Sequence, residues 1–577
     1  MRIIRFFLFF LLQCISISLF AQNNEFTLKL IETTDVHGNF LGYDFMTDSP
    51  IKNGLNKVYT YVKTQREQMG ENQVVLLDAG DILQGQPCVY FANFVDTLAE
   101  KHLAADVFNF MRYDVAAFGN HDIEAGHSVY DRWVRDCNFP VLGANILDTK
   151  TQKPYATPYV VIQRGGLKVA VLGLLTPAIP MWLPEKQWKG LAFGDVEEYA
   201  RKWVSIIQKK EKPDLMIGLF HSGLDGEQRN GFYENAAEAT AKHVPGFDII
   251  FYGHDHRMMA KSVKNEKMNK DVWLLNSGNG AYRVAEANVV YTINKKKAKI
   301  QSIQGQLVSV TDLESDPDFT KRYASNIENV RQFFGEKISK LGSPIHSSDY
   351  FFGGSTLADL LHATQFRWVD ADISFVTPLT TDDIVPAGDI CMRDAFRIYR
   401  FENLIDVFRL TGREVKGALE KSYELWTSNP NETGHVINIT EQNGKARLGA
   451  YNSYLVSAAG IKYVVDPTKP AGQKVNILCM SDGKPFELDK EYRVAVNSYI
   501  GSGGGEIMTE GCGLTVTELP KKIIMTSEKD LRYYLIQYFK QAKNNDVIPS
   551  YCNWEFIQTP QVKEALVKDR ELLFGKR

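Results

Sequence analysis

Apolar residues recur through the first half of the chain in short blocks, separated by amphipathic and charged stretches. Phe26-Thr-Leu-Lys-Leu-Ile31 alternates apolar and polar positions, which predicts a β-strand. Val74-Val-Leu-Leu-Asp78, Tyr113-Asp-Val-Ala-Ala-Phe118, Leu215-Met-Ile-Gly-Leu-Phe220 and Phe247-Asp-Ile-Ile-Phe-Tyr252 are compact apolar runs of strand length. Helical stretches such as Tyr199-Ala-Arg-Lys-Trp-Val-Ser-Ile-Ile-Gln208 lie between them. Strands alternating with helices predict a layered α/β domain, in which ligands gather beyond the carboxyl ends of the strands. Further on, Leu313 to Leu341 predicts a polar helix with aromatic and aliphatic residues at helical spacing. A second set follows: a helix over Ser355–Val369, a strand over Ala371–Thr377, the segments Ile384–Ile390 and Leu404–Gly412, and a helix over Arg413–Lys421.

The residues that end the five strands change the picture. Asp35 and His37 follow the first strand, two positions apart, so in an extended segment both side chains face one side. A carboxylate with an imidazole suits zinc, manganese or a similar divalent ion. Ala79-Gly-Asp-Ile-Leu-Gln-Gly85 follows the second strand. Asp78 and Asp81 are both candidates there; Gly80 permits a tight turn before Asp81, and Asp78 reads better as a strand-end hydrogen-bonding residue. Gly119-Asn-His-Asp-Ile-Glu-Ala-Gly126 follows the third strand, where Asn120 offers a neutral carbonyl oxygen and His121 a proton carrier. The fourth ends at His221-Ser-Gly and the fifth at Gly253-His-Asp-His256. Five of the chain's 11 histidines (His37, His121, His221, His254 and His256) therefore fall at strand ends, a grouping that ordinary core packing does not produce. His102, His127, His243, His346, His362 and His435 lack that placement and read as structural.

Composition narrows the options. At 577 residues the chain is too long for one ordinary core, so two domains are expected. Hydrophobic content of 44% with 23% charged residues describes a folded protein, and a net charge of -3 gives no basic groove for a nucleic-acid polymer. Arg2 and Arg5 precede an apolar run from Phe6 to Phe20, then Ala21 and the polar Gln22-Asn-Asn-Glu25. This is a signal-peptide pattern with cleavage near Ala21 or Gln22; it implies export to the periplasm or beyond and no transmembrane segment after removal. Cys88, Cys137, Cys391, Cys479, Cys512 and Cys552 show no CxxC spacing, which argues against a zinc–thiolate site and leaves disulfide pairing open.

The strand-end motifs TTDVHGN, DAGDILQG, GNHDIEAG, FHSG and GHDH resemble, in order, those of the calcineurin-like metallophosphoesterases, over roughly residues 26 to 310. Within that superfamily the chain looks like the exported nucleotidases, which add a C-terminal substrate domain. The resemblance implies a four-layer α/β/β/α domain over 23–310 after a signal peptide over 1–22, a linker helix over 311–345, and an α/β nucleotidase domain over 346–577. It also implies two divalent ions: one held by Asp35, His37, Asp81 and His256, the other by Asp81, Asn120, His221 and His254, with Asp81 bridging. Ions about 3.5–4 Å apart polarise a phosphoryl group and acidify water, and the hydroxide formed attacks phosphorus in line with the departing oxygen. His121 would stabilise charge or protonate the leaving group. In many 5′-nucleotidases an Asp three residues on orients this histidine; here the position is Glu124, with a longer arm.

In the second half, the VPAGDI and LTGREVK segments and Arg493-Val-Ala-Val-Asn-Ser-Tyr-Ile-Gly-Ser-Gly-Gly-Gly505 resemble the nucleotidase C-terminal domain. By that resemblance Tyr499 stacks on the base, and Tyr454, from Tyr451-Asn-Ser-Tyr-Leu455, is the second stacking aromatic. The N-G-G-x-R motif common in 5′-nucleotidases is replaced by Pro378-Leu-Thr-Thr-Asp-Asp383, and Gly503-Gly-Gly-Glu506 lacks the aspartate of G-G-D-G. Both departures resemble the 2′,3′-cyclic-nucleotide 2′-phosphodiesterase/3′-nucleotidase branch. The expected function is hydrolysis of small nucleotides by two divalent ions, with a 5′-nucleotidase or UDP-sugar hydrolase, and a non-catalytic surface binding protein, as alternatives.

Overall fold

The computed structural model describes residues 25–575 except 227, 230–231, 295–296, 443, 543–547 and 552. The signal peptide expected over residues 1–22 and Cys552 thus lie outside the described residues. Two six-stranded sheets form the N-terminal domain. The first runs Lys297–Ser309, Arg283–Asn294, Glu25–Thr33, Val74–Asp78, Val115–Ala117 and Val141–Leu142. The second runs Met259–Lys264, Asp271–Asn276, Ile249–Tyr252, Leu215–His221, Leu167–Leu175 and Tyr159–Arg164. The central neighbours are parallel in both: Glu25–Thr33 with Val74–Asp78, and Leu215–His221 with Ile249–Tyr252.

Alternation along the strands decides which face meets what. Leu28, Leu30, Val75 and Leu77 pack with Val169, Val171, Ile217 and Phe251 of the other sheet. Val74 and Leu76 point the other way, against Val58 and Val62 of the helix Leu55–Met69 and Phe108 of the helix Leu103–Met111. Ala170, Leu172, Met216 and Ile250 face the helix Val196–Lys210 through Ala200, Val204 and Ile207. The result is α/β/β/α, with side chains fully buried at the sheet interface, each contributing about 1.5–3 kcal/mol. Parallel strands in register bring their carboxyl ends to one edge of each sheet, which places the five motifs side by side.

The connecting helix spans Pro317–Gly335, not the full stretch to Leu341. Asp316 caps it, accepting from the amides of Asp318 (2.9 Å) and Phe319 (3.2 Å), with Pro317 pre-set for the first turn. After it Lys337-Ile-Ser-Lys-Leu341 pairs as a strand with Gly388–Cys391, with an irregularity between Lys337 and Ser339. Its apolar residues, Ile338 and Leu341, are three apart, which suits the helical repeat and hides the strand. Beyond it a five-stranded mixed sheet (Ser457–Ala459, Ile373–Val376, Glu491–Asn497, Leu404–Thr411, Ile523–Asp530) carries helices that include Thr356–Trp368, Gly412–Trp426 and Leu531–Gln541. The described cysteines are unpaired. No helix among the described residues is long and apolar enough to cross a membrane.

Candidate metal centre

The strand Glu25–Thr33 stops before the motif it delivers. Asp35 and His37 both adopt left-handed backbone (φ 48° and 46°), so they do not converge through the extended repeat expected from the sequence. Instead the loop is pinned to its neighbour: Asp35 N donates to Gly80 O (2.9 Å) and His37 N to Asp81 O (3.0 Å). Asp81, His254 and His256 are left-handed too (φ 61°, 82° and 56°). Such backbone costs of order 1 kcal/mol per residue and survives only where surrounding contacts enforce it.

Enforcement here is steric and electrostatic. A Cβ on Gly119 would lie 2.1 Å from Asp81 Oδ1, and one on Gly80 would lie 2.6 Å from Gly119 N, so the two loops interlock through bare backbone. The buried Asp122 carboxylate ties them, accepting from the amides of Gly119 (2.7 Å), Asp81 (3.1 Å), Ile82 (2.8 Å) and Leu83 (2.8 Å). Sequence reasoning passed over Asp122, whose signal was its place two residues after Asn120 at the start of a short helix.

The donor atoms gather in two clusters: Asp35, His37 and His256, and Asp35, Asp81 and His221. His37 Nε2 faces His256 Nε2 at 3.2 Å, and His256 Nε2 lies 3.3 Å from Asp35 Oδ1. His221 Nε2 lies 3.1 Å from both Asp81 Oδ2 and Asn120 Oδ1, and His254 Nδ1 lies 2.9 Å from Asn120 Oδ1. Ring nitrogens, carboxylates and an amide oxygen with lone pairs directed at one another form a donor set that fits hard-to-borderline divalent cations. Asp81 Oδ2 stands between the clusters, 3.9 Å from His37 Nε2, and Asp35 is shared by them as well. All seven ligand candidates from the sequence are brought together.

Charge follows placement. Burial would raise the Asp81 carboxyl, but His221, His121 and His37 outweigh it and hold it well below the usual range. Burial instead dominates at Asp78, pushing its carboxyl well above the ordinary value despite bonds from Thr33 Oγ1 (2.6 Å) and Gly80 N (2.9 Å). Asp78 stands outside both clusters. His121 hangs beside the ligands, its amide donating to Asp81 Oδ1 (2.9 Å) and its Nδ1 bonded to Glu124 Oε2. Burial pulls the imidazole down, yet Asp81 and Glu124 overcome it and raise it to about 10. Glu402, from the C-terminal domain, adds to that rise. It pairs with the buried Arg532, whose guanidinium lies over both the ring of Phe396 (4.0 Å) and the ring of Tyr90 (4.7 Å) and so joins the two domains.

Tyr499 and Tyr454 flank the glycine-rich loop. A Cβ on Gly504 would lie 2.6 Å from the Tyr499 ring, and one on Gly505 would lie 2.5 Å from the Tyr454 ring. Tyr451, 74% exposed, sits edge-on to Tyr454 with ring centroids 5.5 Å apart. Burial, then Tyr454 and more weakly Glu234, push the Tyr499 hydroxyl up. Glu234 also bonds His254 Nε2 (3.0 Å). Neither Glu234 nor Glu402 carries a motif, and sequence reasoning missed both.

Residues 28–258 match the family described as calcineurin-like phosphoesterase, and residues 337–510 match the 5′-nucleotidase C-terminal domain. The chain joins a calcineurin-like phosphoesterase domain to a 5′-nucleotidase C-terminal domain. It is 24% identical to a 2′,3′-cyclic-nucleotide 2′-phosphodiesterase/3′-nucleotidase of Haemophilus influenzae, over 92% of this chain and 88% of that protein. It is 25% identical to the trifunctional nucleotide phosphoesterase protein YfkN of Bacillus subtilis over 83% of its own length, but spans only 36% of that protein. Among solved structures, a Staphylococcus aureus protein assigned as a 5′-nucleotidase, in complex with alpha-ketoglutarate, superposes with a TM-score of 0.73 at 21% identity, covering 92% of this chain and 99% of that one. The chain is an enzyme, a metal-dependent hydrolase of phosphoric esters in the 5′-nucleotidase family, and its donor set accords with the family's use of divalent ions.

Proposed function

We propose that this enzyme hydrolyses 2′,3′-cyclic and 3′-nucleotides in preference to 5′-nucleotides. Asp35, His37, Asp81 and His256 would hold one divalent ion and Asp81, Asn120, His221 and His254 the other, zinc and manganese both suiting these donors. When bound, such ions neutralise phosphoryl oxygens and lower the pKa of water. The chain's own part is to orient and to move a proton. His121, braced through Nδ1 by Glu124, keeps Nε2 available to hold a proton for the departing ribose oxygen. Tyr499 and Tyr454 would take the base between them, beside the half-helical turn Ser498–Gly501.

The observation that carries the preference is the region after the strand Ile373–Val376. Where the 5′-nucleotidases it resembles carry N-G-G-x-R, this chain has Pro378-Leu-Thr-Thr-Asp-Asp383, without the arginine. Thr377 Oγ1 accepts from Asn497 Nδ2 (3.2 Å) and Pro378 O from Asn452 Nδ2 (2.9 Å), so polar groups of the loop are satisfied within the domain. Arg532 is buried and committed to Glu402 and Arg400 O, and takes no clamp role. Without the arginine of that motif to fix a phosphate at a set distance from the base, the site would select by base stacking and ribose position. Side-by-side kinetics with 2′,3′-cyclic AMP, 3′-AMP, 5′-AMP and UDP-glucose test this. Higher kcat/KM for the first two is expected, and a preference for 5′-AMP overturns it. The basic and apolar start of the chain supports export, and a mature N-terminus near Gln22 would be found in the secreted or periplasmic fraction.

A further inference from the structure

His254 points Nδ1 at Asn120 Oδ1 (2.9 Å), on the side where the second cluster gathers, and Nε2 away from it. Nε2 lies 3.0 Å from Glu234 Oε1. A carboxylate only accepts, so with an ion at Nδ1 this contact leaves the ring hydrogen on Nε2. The ring is further held between Trp182 (centroids 5.4 Å, 31° between planes) and His221 (5.4 Å, 65°).

Glu234 is itself seated. It lies 12 residues beyond Ser222, the residue after ligand candidate His221, and its backbone is bonded to that turn. Ser222 Oγ, in a fully buried residue, donates to Glu234 O (2.8 Å) and accepts from Ala236 N (2.9 Å). Gly223 N donates to Asn235 Oδ1 (3.0 Å), and a Cβ on Gly223 would lie 2.5 Å from that same oxygen. The turn after His221 thus carries Glu234 to the far edge of His254, linking the fourth and fifth motifs on their outer side. A carboxylate bonded to the outer nitrogen of a metal-bound imidazole orients the ring and strengthens it as a donor, and its loss typically lowers metal affinity 10- to 100-fold.

We propose that Glu234 is a positioning residue for the ion at Asn120, His221 and His254, acting only through His254. This rests on the two-ion reading above. The test compares full-length wild type with Glu234→Gln and Glu234→Ala. Each is titrated with zinc in a chelator-buffered series, with bound ions counted by mass spectrometry and melting of the metal-free forms recorded. Glu234→Ala is expected to need about 10- to 100-fold more free zinc to fill one of two sites while the other is unchanged. Glu234→Gln, which keeps an amide oxygen to accept, should fall between. With 3′-AMP at saturating zinc, KM should stay near wild type. Two sites of unchanged affinity in Glu234→Ala, or both weakened equally with a lower melting temperature, overturn the positioning role and leave the two-ion reading intact. A wild type that fills only one site overturns that reading and this proposal with it.

Discussion

Around Asp81 the amides of Asp81 and His121 are bonded to carboxylates, and two glycines leave no room for a Cβ. Around Tyr499 the chain runs through Gly503 (φ 107°), Gly505 (φ 67°) and the left-handed Glu506 (φ 61°), with Tyr451 standing exposed. One region is a set of interlocked loops at buried strand ends; the other sets Tyr499, in the short turn Ser498–Gly501, and Tyr454, in the turn Asn452–Tyr454, against a glycine-rich loop. On the reading proposed above this contrast is a division of labour: the groups that move charge are fixed by the core, while those that would hold the base sit in short turns outside the sheets.

Variants at Asp81 and Asp78 should break this contrast most severely if it is misdrawn. Asp81→Asn removes the ionised carboxylate between the clusters, and turnover and ion content should both collapse. Asp78→Asn should keep both ions and most activity, because Asp78 stands outside both donor clusters. Equal ion loss in the two would place the shared ligand wrongly. Next in size, His121→Ala should lower kcat by roughly 10²–10⁴ while two ions stay bound, measured by steady-state kinetics with metal analysis. An ion missing there would make His121 a ligand. On the other region, Tyr499→Ala should lose stacking worth about 1–3 kcal/mol, read as a rise in KM of roughly 10-fold with kcat little changed. A fall in kcat alone would mean the ring shapes the chemistry instead.

A last effect, on stability rather than turnover, concerns His362, a histidine of the C-terminal core bonded to Ser374 Oγ (2.8 Å) and Ser457 Oγ (3.1 Å). Burial holds it down at about 3, against 6.5 when exposed. The unfolded chain therefore binds the extra proton in that window. The stability this neutral imidazole contributes is complete above about pH 6.5 and drains as pH falls toward about 3, by at most about 1.4 kcal/mol per pH unit. Urea unfolding along that range should show a shallower acid slope in His362→Gln than in wild type. Parallel slopes would mean the site is hydrated.

The strands and their order of motifs were legible because compact apolar runs ending in Asp, Asn and His have few other uses. The reason for the pairing of Asp35 with His37 was not, since left-handed backbone in non-glycine residues leaves no mark in composition. Leu313 to Leu341 misled at its end because Lys337-Ile-Ser-Lys-Leu341 gains its strand partner only from Gly388–Cys391. Glu234 and Glu402 were invisible for a related reason. Their meaning arises where separate loops, or separate domains, close on one another, and a single acidic residue in a polar stretch carries no such information.

Gly80 and Gly119 have a consequence for how this protein would respond to random change. Neither has a functional group to lose, so tolerance is a question of volume at Gly119, and of volume and a positive φ (99°) at Gly80. In a saturation library scored by turnover, alanine at either should rank with the loss of a ligand, and no chemical similarity among substitutes should rescue it. Two residues that contribute no atom to the reaction would thereby mark, on an activity map, the seam along which the reaction centre is assembled.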